Sequence, residues 1–179
     1  MNEKIQKIIR RFLLRAVLIF LSWVGLYHGI IYPDGRVNDW LTDKVVIGTK
    51  VGLTFLGYNA NQGFYQGTSR SISIDNQPVV LVADACNGLE LLALFIGFLL
   101  AFPGPIRFKL VIIPLGTIVI FLLNIIREIV LALNYKYFQE TFEFNHKYTY
   151  VFIVYVSIFL IWRFWLNRYS SVGKYVANV

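Results

Sequence analysis

One thiol, one guanidinium and one imidazole stand out from an otherwise apolar chain: Cys86, Arg127 and His146. They lie 41 and 19 residues apart, so only folding can bring them together. Cys86 is the single cysteine, which excludes an intramolecular disulfide and a CxxC metal site. It is then either a small packing hydrophobe or a reactive thiol. A thiol at a helix start feels the positive end of the helix dipole, which favours thiolate. A nearby arginine favours it further, or binds the oxyanion of an acyl-transfer transition state. Histidine shuttles protons near neutral pH. Nucleophile, base and oxyanion stabiliser are the parts that acyl transfer requires. Each residue also has a plainer role: a packed thiol, an arginine snorkelling to lipid headgroups, a histidine at a helix end.

The neighbours extend the pattern. Glu90 follows Cys86 by four residues, which puts both on one face of a helix beginning at Cys86. Asn124, Arg127 and Glu128 share one face of a helix by the same spacing. Asn87 sets a hydrogen-bonding side chain beside the thiol. An acid within a membrane helix is a functional suspect, although Glu90 or Glu128 neutralising Arg127 is the simpler expectation. His28, in an aromatic stretch, is a rival base whose simpler role is structural. No HExxH and no GxxxxGK[ST] occurs, so no metal and no cofactor is expected.

The elements that must position these residues are membrane helices. The chain is 57% hydrophobic and 15% charged, with a mean hydropathy of +0.60; soluble domains carry about 25% charged residues. A span needs roughly 20 apolar residues. Candidates run over residues 12–32, 86–102, 107–135 and 146–166, within a single membrane domain covering 1–179. The first is read as a retained signal anchor stopped by Pro33-Asp34-Gly35. Asp84 is a candidate cap for the second. The outer segment, 33–85, contains apolar residues at helical spacing from Trp40 to Leu56, which predicts an amphipathic helix lying at the interface. Asn59 to Ser69 reads as loop. Alternation over Ser71–Ile74, turn chemistry over Asp75–Pro78 and the run Val79–Val82 predict a short hairpin. The fold class is therefore an all-α integral membrane protein with about four transmembrane helices, plus an amphipathic helix and a β-hairpin outside.

Charge sets the orientation. With the N-terminus cytoplasmic, the inner segments hold Lys4, Lys7, Arg10, Arg11, Arg15, Arg107, Lys109, Arg163, Arg168 and Lys174, which is 10 of the 17 basic residues. This accounts for the net charge of +7 as topology, without nucleic acid. Both termini are then cytoplasmic, with a basic, flexible tail. Cys86, Arg127 and His146 come to one depth at the outer side.

Three segments carry a resemblance: Ala85-Cys86-Asn87-Gly88-Leu89-Glu90, Asn124-Ile125-Ile126-Arg127-Glu128-Ile129 and Phe144-Asn145-His146. Here the chain resembles the exosortase/archaeosortase family of membrane-embedded cysteine transpeptidases, and especially its short bacterial forms, over about residues 79–166. Many members have Ala-Cys-Ser-Gly where this chain has Asn87 after the cysteine. The resemblance implies Cys86 as nucleophile, Arg127 as stabiliser of thiolate or oxyanion, and His146 as base and acid. It implies protein substrates with a C-terminal sorting tail (short motif, apolar helix, basic end), cleaved and transferred to a lipid or glycan acceptor at the cell surface. It also implies a bacterial inner membrane with the site facing the periplasm. The alternatives are a non-enzymatic scaffold or transporter subunit, and a thiol acyltransferase needing no sorting tail.

Overall fold

The computed structural model describes residues 3–65 and 68–169; the expected basic tail past residue 169 lies outside them. The first helix, α1 (Glu3–Leu26), runs on through a π-helical turn (Tyr27–Ile31) into α2 (Tyr32–Asp34). Pro33 fits the first turn of α2, and Gly35, at φ +71°, ends the run where the sequence places the stop. After α3 (Arg36–Phe55) come three strands, β1 (Ala60–Tyr65), β2 (Thr68–Ile74) and β3 (Gln77–Leu81). A 3₁₀ turn (Asp84–Cys86) leads into α4 (Leu89–Ala101). Then follow α5 (Ile106–Tyr137), α6 (Gln139–Phe144), a π-helical turn (Asn145–Thr149) and α7 (Tyr150–Tyr169).

Three continuous helical stretches are long and apolar enough to cross a membrane: Gln6–Asp34, Ile106–Tyr137 and Gln139–Arg168. The expected second span is shorter than the sequence suggests. Helix α4 has 13 residues, about 20 Å, against a hydrocarbon core of about 30 Å. Its start is trimmed because Gly88 takes φ +88°, a left-handed conformation that separates Cys86 from the helix. The four expected spans are thus three helices of spanning length and one shorter apolar helix.

The hairpin is likewise part of something larger, and the fold is not all-α. The strands form an antiparallel sheet in the order β1-β2-β3. The expected turn is present: Asp75 and Asn76 both have positive φ, as a tight two-residue hairpin demands. The stretch read as loop instead supplies β1 and the start of β2. Asn61, Gln62 and Gly63 show no alternation, so that strand is specified by its pairing with β2 and by a bulge at Gly63/Phe64.

Helix α3 is amphipathic as expected, but its apolar face is buried on protein. Leu41, Val45, Val46 and Leu53 are enclosed; Val45, Val46 and Leu53 form one core with Ile72 and Ile74 of β2, Val79 and Val80 of β3, and Leu131 and Ala132 of α5. Gly48 and Gly52, one turn apart, let α3 lie against α5: a Cβ at either would run into Ile125 or Ile129. A second core joins α4, α5 and α7 through Phe95, Leu99, Ile120, Val154, Ile158 and Trp165. At that end Lys109 donates from Nζ to the carbonyls of Phe102 at 2.7 Å and Leu100 at 3.3 Å, satisfying the open end of α4. Helix α1 docks on this bundle through Phe12, whose ring meets those of Phe98 and Phe102 at 5.6 and 4.7 Å. Leu14, Leu18 and Leu21 of α1 stay exposed, as a lipid-facing helix requires.

Replacing Gly52 with Leu drives a branched side chain into Ile129 and costs about 1–3 kcal/mol by overpacking. The thermal unfolding midpoint in detergent falls, and adding Ile129→Ala recovers part of the loss.

Candidate active site

The backbone around Cys86 is held from three directions. The Nδ2 of Asn124, on α5, donates to the Cys86 carbonyl at 3.0 Å. The Nδ2 of Asn87 donates to Oδ1 of Asn38 at 3.1 Å and to the Thr42 hydroxyl at 3.3 Å, both on α3. The Oδ1 of Asn87 accepts the Leu89 amide N–H at 2.9 Å, satisfying a donor at the start of α4. Between them Gly88 is favoured on two counts. Its φ is left-handed, and a Cβ there would sit 3.2 Å from Nδ2 of Asn124. Arg70 of β2 bridges Asp39 of α3 and Asp84, two residues before the thiol. Burial alone would lower the Arg70 pKa, but Asp84 and Asp39 more than offset it, so the net shift is upward. Asp84 is therefore an ion-pair partner and makes no side-chain cap to a helix.

His146 comes from the other side of the bundle. It lies in the π-helical turn, and its ring stacks on Phe142 at 5.7 Å between centroids. Polar side chains tie that turn to α5. Asn134 donates to the Thr141 hydroxyl at 2.9 Å, and Asn145 donates to Oδ1 of Asn134 at 3.4 Å. Thr149 donates to Oδ1 of Asn145 at 2.9 Å. The result is a thiol–imidazole contact across 60 residues of sequence: Sγ of Cys86 is 3.7 Å from Nε2 of His146. Sulfur hydrogen bonds are long, and this one has two protonation forms. Either the thiol donates to a neutral ring, or an imidazolium donates to a thiolate.

Arg127 and Glu128 are buried on α5, with 9% and 1% of their side chains exposed. Nη1 of Arg127 donates to Oε1 of Glu128 at 2.9 Å. Of the two acids expected to neutralise Arg127, Glu128 does so. Glu90 is exposed on α4 and does not share a helix face with Cys86, because the left-handed Gly88 interrupts the helix. The Nε of Arg127 is buried without a hydrogen-bond partner. The thiol is likewise not at the start of α4: it closes a separate 3₁₀ turn, so the dipole of α4 does not begin at its position.

Two cavities flank this point. A cleft of about 490 Å³ is lined by Cys86, His146, Glu128, Phe142, Leu131 and β3. A groove of about 630 Å³ runs between α1 and α4 and is mostly apolar. Arg127, Glu90, Ala85 and Gly88 line that groove, as does His28, which meets Tyr27 edge-on at 5.2 Å. Cys86, Asn87, Asn124, Glu128 and His146 are thus gathered, Arg127 stands at the boundary of the two cavities, and Glu90 and His28 belong to the groove. Asn38, Thr42, Arg70, Asn134, Thr141 and Asn145 are supports that sequence reasoning missed. Asn38, Thr42 and Arg70 work through partners distant in sequence, so no local spacing signals them, whereas Thr141, Asn145 and Thr149 are linked at helical spacing.

Among the described residues no three His, Cys, Asp or Glu side chains form a metal-binding group. The family profile described as transmembrane exosortase (Exosortase_EpsH) matches residues 7–163 of the chain. No curated protein and no solved structure matches.

Breaking the buried ion pair leaves a charge unpaired. Glu128→Ala therefore destabilises the protein by about 3–5 kcal/mol, read from the unfolding midpoint in detergent. Replacing both Arg127 and Glu128 with Leu destabilises it far less.

Proposed function

This chain belongs to the transmembrane exosortase family, and from that premise we propose that it is a membrane cysteine transpeptidase. It acts on surface proteins that end in an apolar helix with basic residues. The observation that carries the reading is the 3.7 Å approach of Sγ of Cys86 to Nε2 of His146.

His146 takes the thiol proton, and the sulfur attacks a scissile carbonyl carbon, forming an S–C bond and an oxyanion. Collapse breaks the C–N bond while the imidazolium protonates the leaving amine, which leaves a thioester on Cys86. A hydroxyl or amine of a cell-surface lipid or glycan then loses its proton to His146 and attacks the thioester carbonyl; its bond to the acyl carbon forms, the C–S bond breaks, and Cys86 leaves as thiolate and is reprotonated by the imidazolium. Arg127, whose Nε is unused in the resting protein, stabilises the oxyanion. Asn87 and Asn124 keep the nucleophile's backbone fixed while the charge moves. The site faces the outer side of the membrane, where the sheet and α3 would lie. One observation favours the scaffold reading: the Arg127–Glu128 pair neutralises itself without any substrate.

Cys86→Ala and Cys86→Ser abolish tail removal while the variant still inserts at wild-type level. His146→Ala lowers the rate by about 10²–10⁴-fold, as expected for loss of a general base. The assay is an immunoblot for a co-expressed surface protein with an apolar, basic-ended tail, paired with mass spectrometry of the Cys86 peptide under turnover. Unchanged processing by Cys86→Ala would favour the scaffold.

A further inference from the structure

We propose that the outer edge of β3 is a docking rail for an extended peptide, which it feeds past Cys86; this rests on Cys86 being the nucleophile. β3 is an edge strand, paired only on the β2 side. Its pairing phase can be read from the hydrogen bonds. The Val82 amide donates to the Arg70 carbonyl, and Leu81 lies opposite Ser71 in the next position of the register. In an antiparallel pair such positions alternate between bonded and non-bonded. Val80 and Val82 therefore bond to β2, while the N–H and C=O of Leu81 point away from it. No backbone hydrogen bond takes them up among the described residues.

That open edge faces the thiol. Pro78, Val79, Val80 and Leu81 all line the cleft that holds Cys86 and His146. Val80 and Leu81 project to opposite faces of the sheet, and the cleft touches both as well as Ser71 of β2, so it takes in the strand's edge along with one face. An occupant that meets a row of outward N–H and C=O groups beside a nucleophile is itself a backbone: an added strand. The second cavity supports the same occupant. The cleft and the apolar groove are lined by consecutive residues, Cys86 and Ala85 on one segment and Glu128 and Arg127 on another. A polypeptide extended along β3 and continuing as an apolar segment into the groove presents the bond between the two at Cys86. A small acceptor molecule in the cleft would have no use for the Leu81 backbone.

The single cysteine makes the test direct, because peptide mapping assigns each thiol adduct to Cys86 and separates it from any adduct on His28 or His146. Acetyl-Val-Ala-Val chloromethyl ketone and iodoacetamide are reacted with the full chain in detergent, and adducts are counted by intact mass. In the first reagent sulfur displaces chloride, a C–S bond forms and the thiol proton passes to His146. Expected is a rate advantage for the peptidyl reagent that falls about 2–10-fold in Leu81→Pro, where one outward N–H is lost. Leu81→Ala, which keeps the N–H, retains it. The iodoacetamide rate reports the intrinsic reactivity of Cys86 in each variant, and the unfolding midpoint in detergent reports whether the variant keeps its fold. N-methylating the reagent's amides one at a time should remove the advantage at alternate positions in the unaltered protein. Equal advantage in Leu81→Pro, or indifference to N-methylation, overturns the rail and leaves the nucleophile standing. Inertness of Cys86 to both reagents overturns the nucleophile and the rail together.

Discussion

Two asparagine carboxamides hold the peptide around Cys86, and the architecture of the region follows from what they must reach. Asn124 reaches it from α5, and Asn87 reaches from it to α3. For both bonds to form, α3 must lie close to α5, which Gly48 and Gly52 permit. The chain must also turn between the thiol and α4, which Gly88 permits. Remove the close approach and Asn87 loses Asn38 and Thr42; remove the turn and α4 runs through the place where Asn124 now sits. A thiol in a membrane protein has few ways to be fixed, because apolar packing is poorly directional. Buried amides are directional, and an unmade bond to one is costly, so they specify one position for the sulfur.

The long helices were legible because lipid imposes one strong rule on sequence, a run of apolar residues of fixed length. The stop at Gly35 and the turn at Asp75-Asn76 were legible for a similar reason: both rest on local backbone geometry written in a few adjacent residues. Strand β1 was not. Its residues carry no alternation of their own, and it exists because β2 offers a partner. The start of α4 was misplaced because apolar periodicity says nothing about φ at Gly88. The bond from Arg127 to Glu128 was one of two options in the sequence; helix spacing alone favours partners three or four residues away. The Arg70 bridge to Asp39 and Asp84 spans 31 and 14 residues, beyond any local pattern.

The two cavities differ in the elements that wall them. The groove is walled by helices whose other faces are exposed and apolar, and it contains Phe12, Ile19, Trp23 and Phe98. The cleft is walled by a sheet with exposed polar residues such as Asp75, Asn76 and Gln77. Both cavities are lined mostly by apolar groups; Cys86 lines the cleft, and its neighbour Ala85 lines the groove. Edge strands are usually guarded against stray pairing by charge or proline. β3 carries Pro78 at one end but leaves Leu81 unguarded, and the walls of α5 and α6 shield it from other sheets.

The buried ion pair bears on whether this arrangement is more than structural. Arg127 and Glu128 are consecutive, so on a helix they project about 100° apart, and their bond engages one end of the guanidinium only. That geometry leaves Nε enclosed and unpaired. As a stabilising device the pair is a poor choice: two apolar side chains would fill the space without desolvating two charges. A guanidinium with one committed end and an enclosed, unpaired Nε keeps a donor in reserve for a second anion. Arg127 lines the groove beside Ala85 and Gly88, close in sequence to the thiol. A tetrahedral oxyanion formed on Cys86 is a transient anion of that kind. Glu128 holds the arginine by its Nη1, and on the mechanism proposed above an oxyanion on Cys86 supplies the partner that Nε lacks.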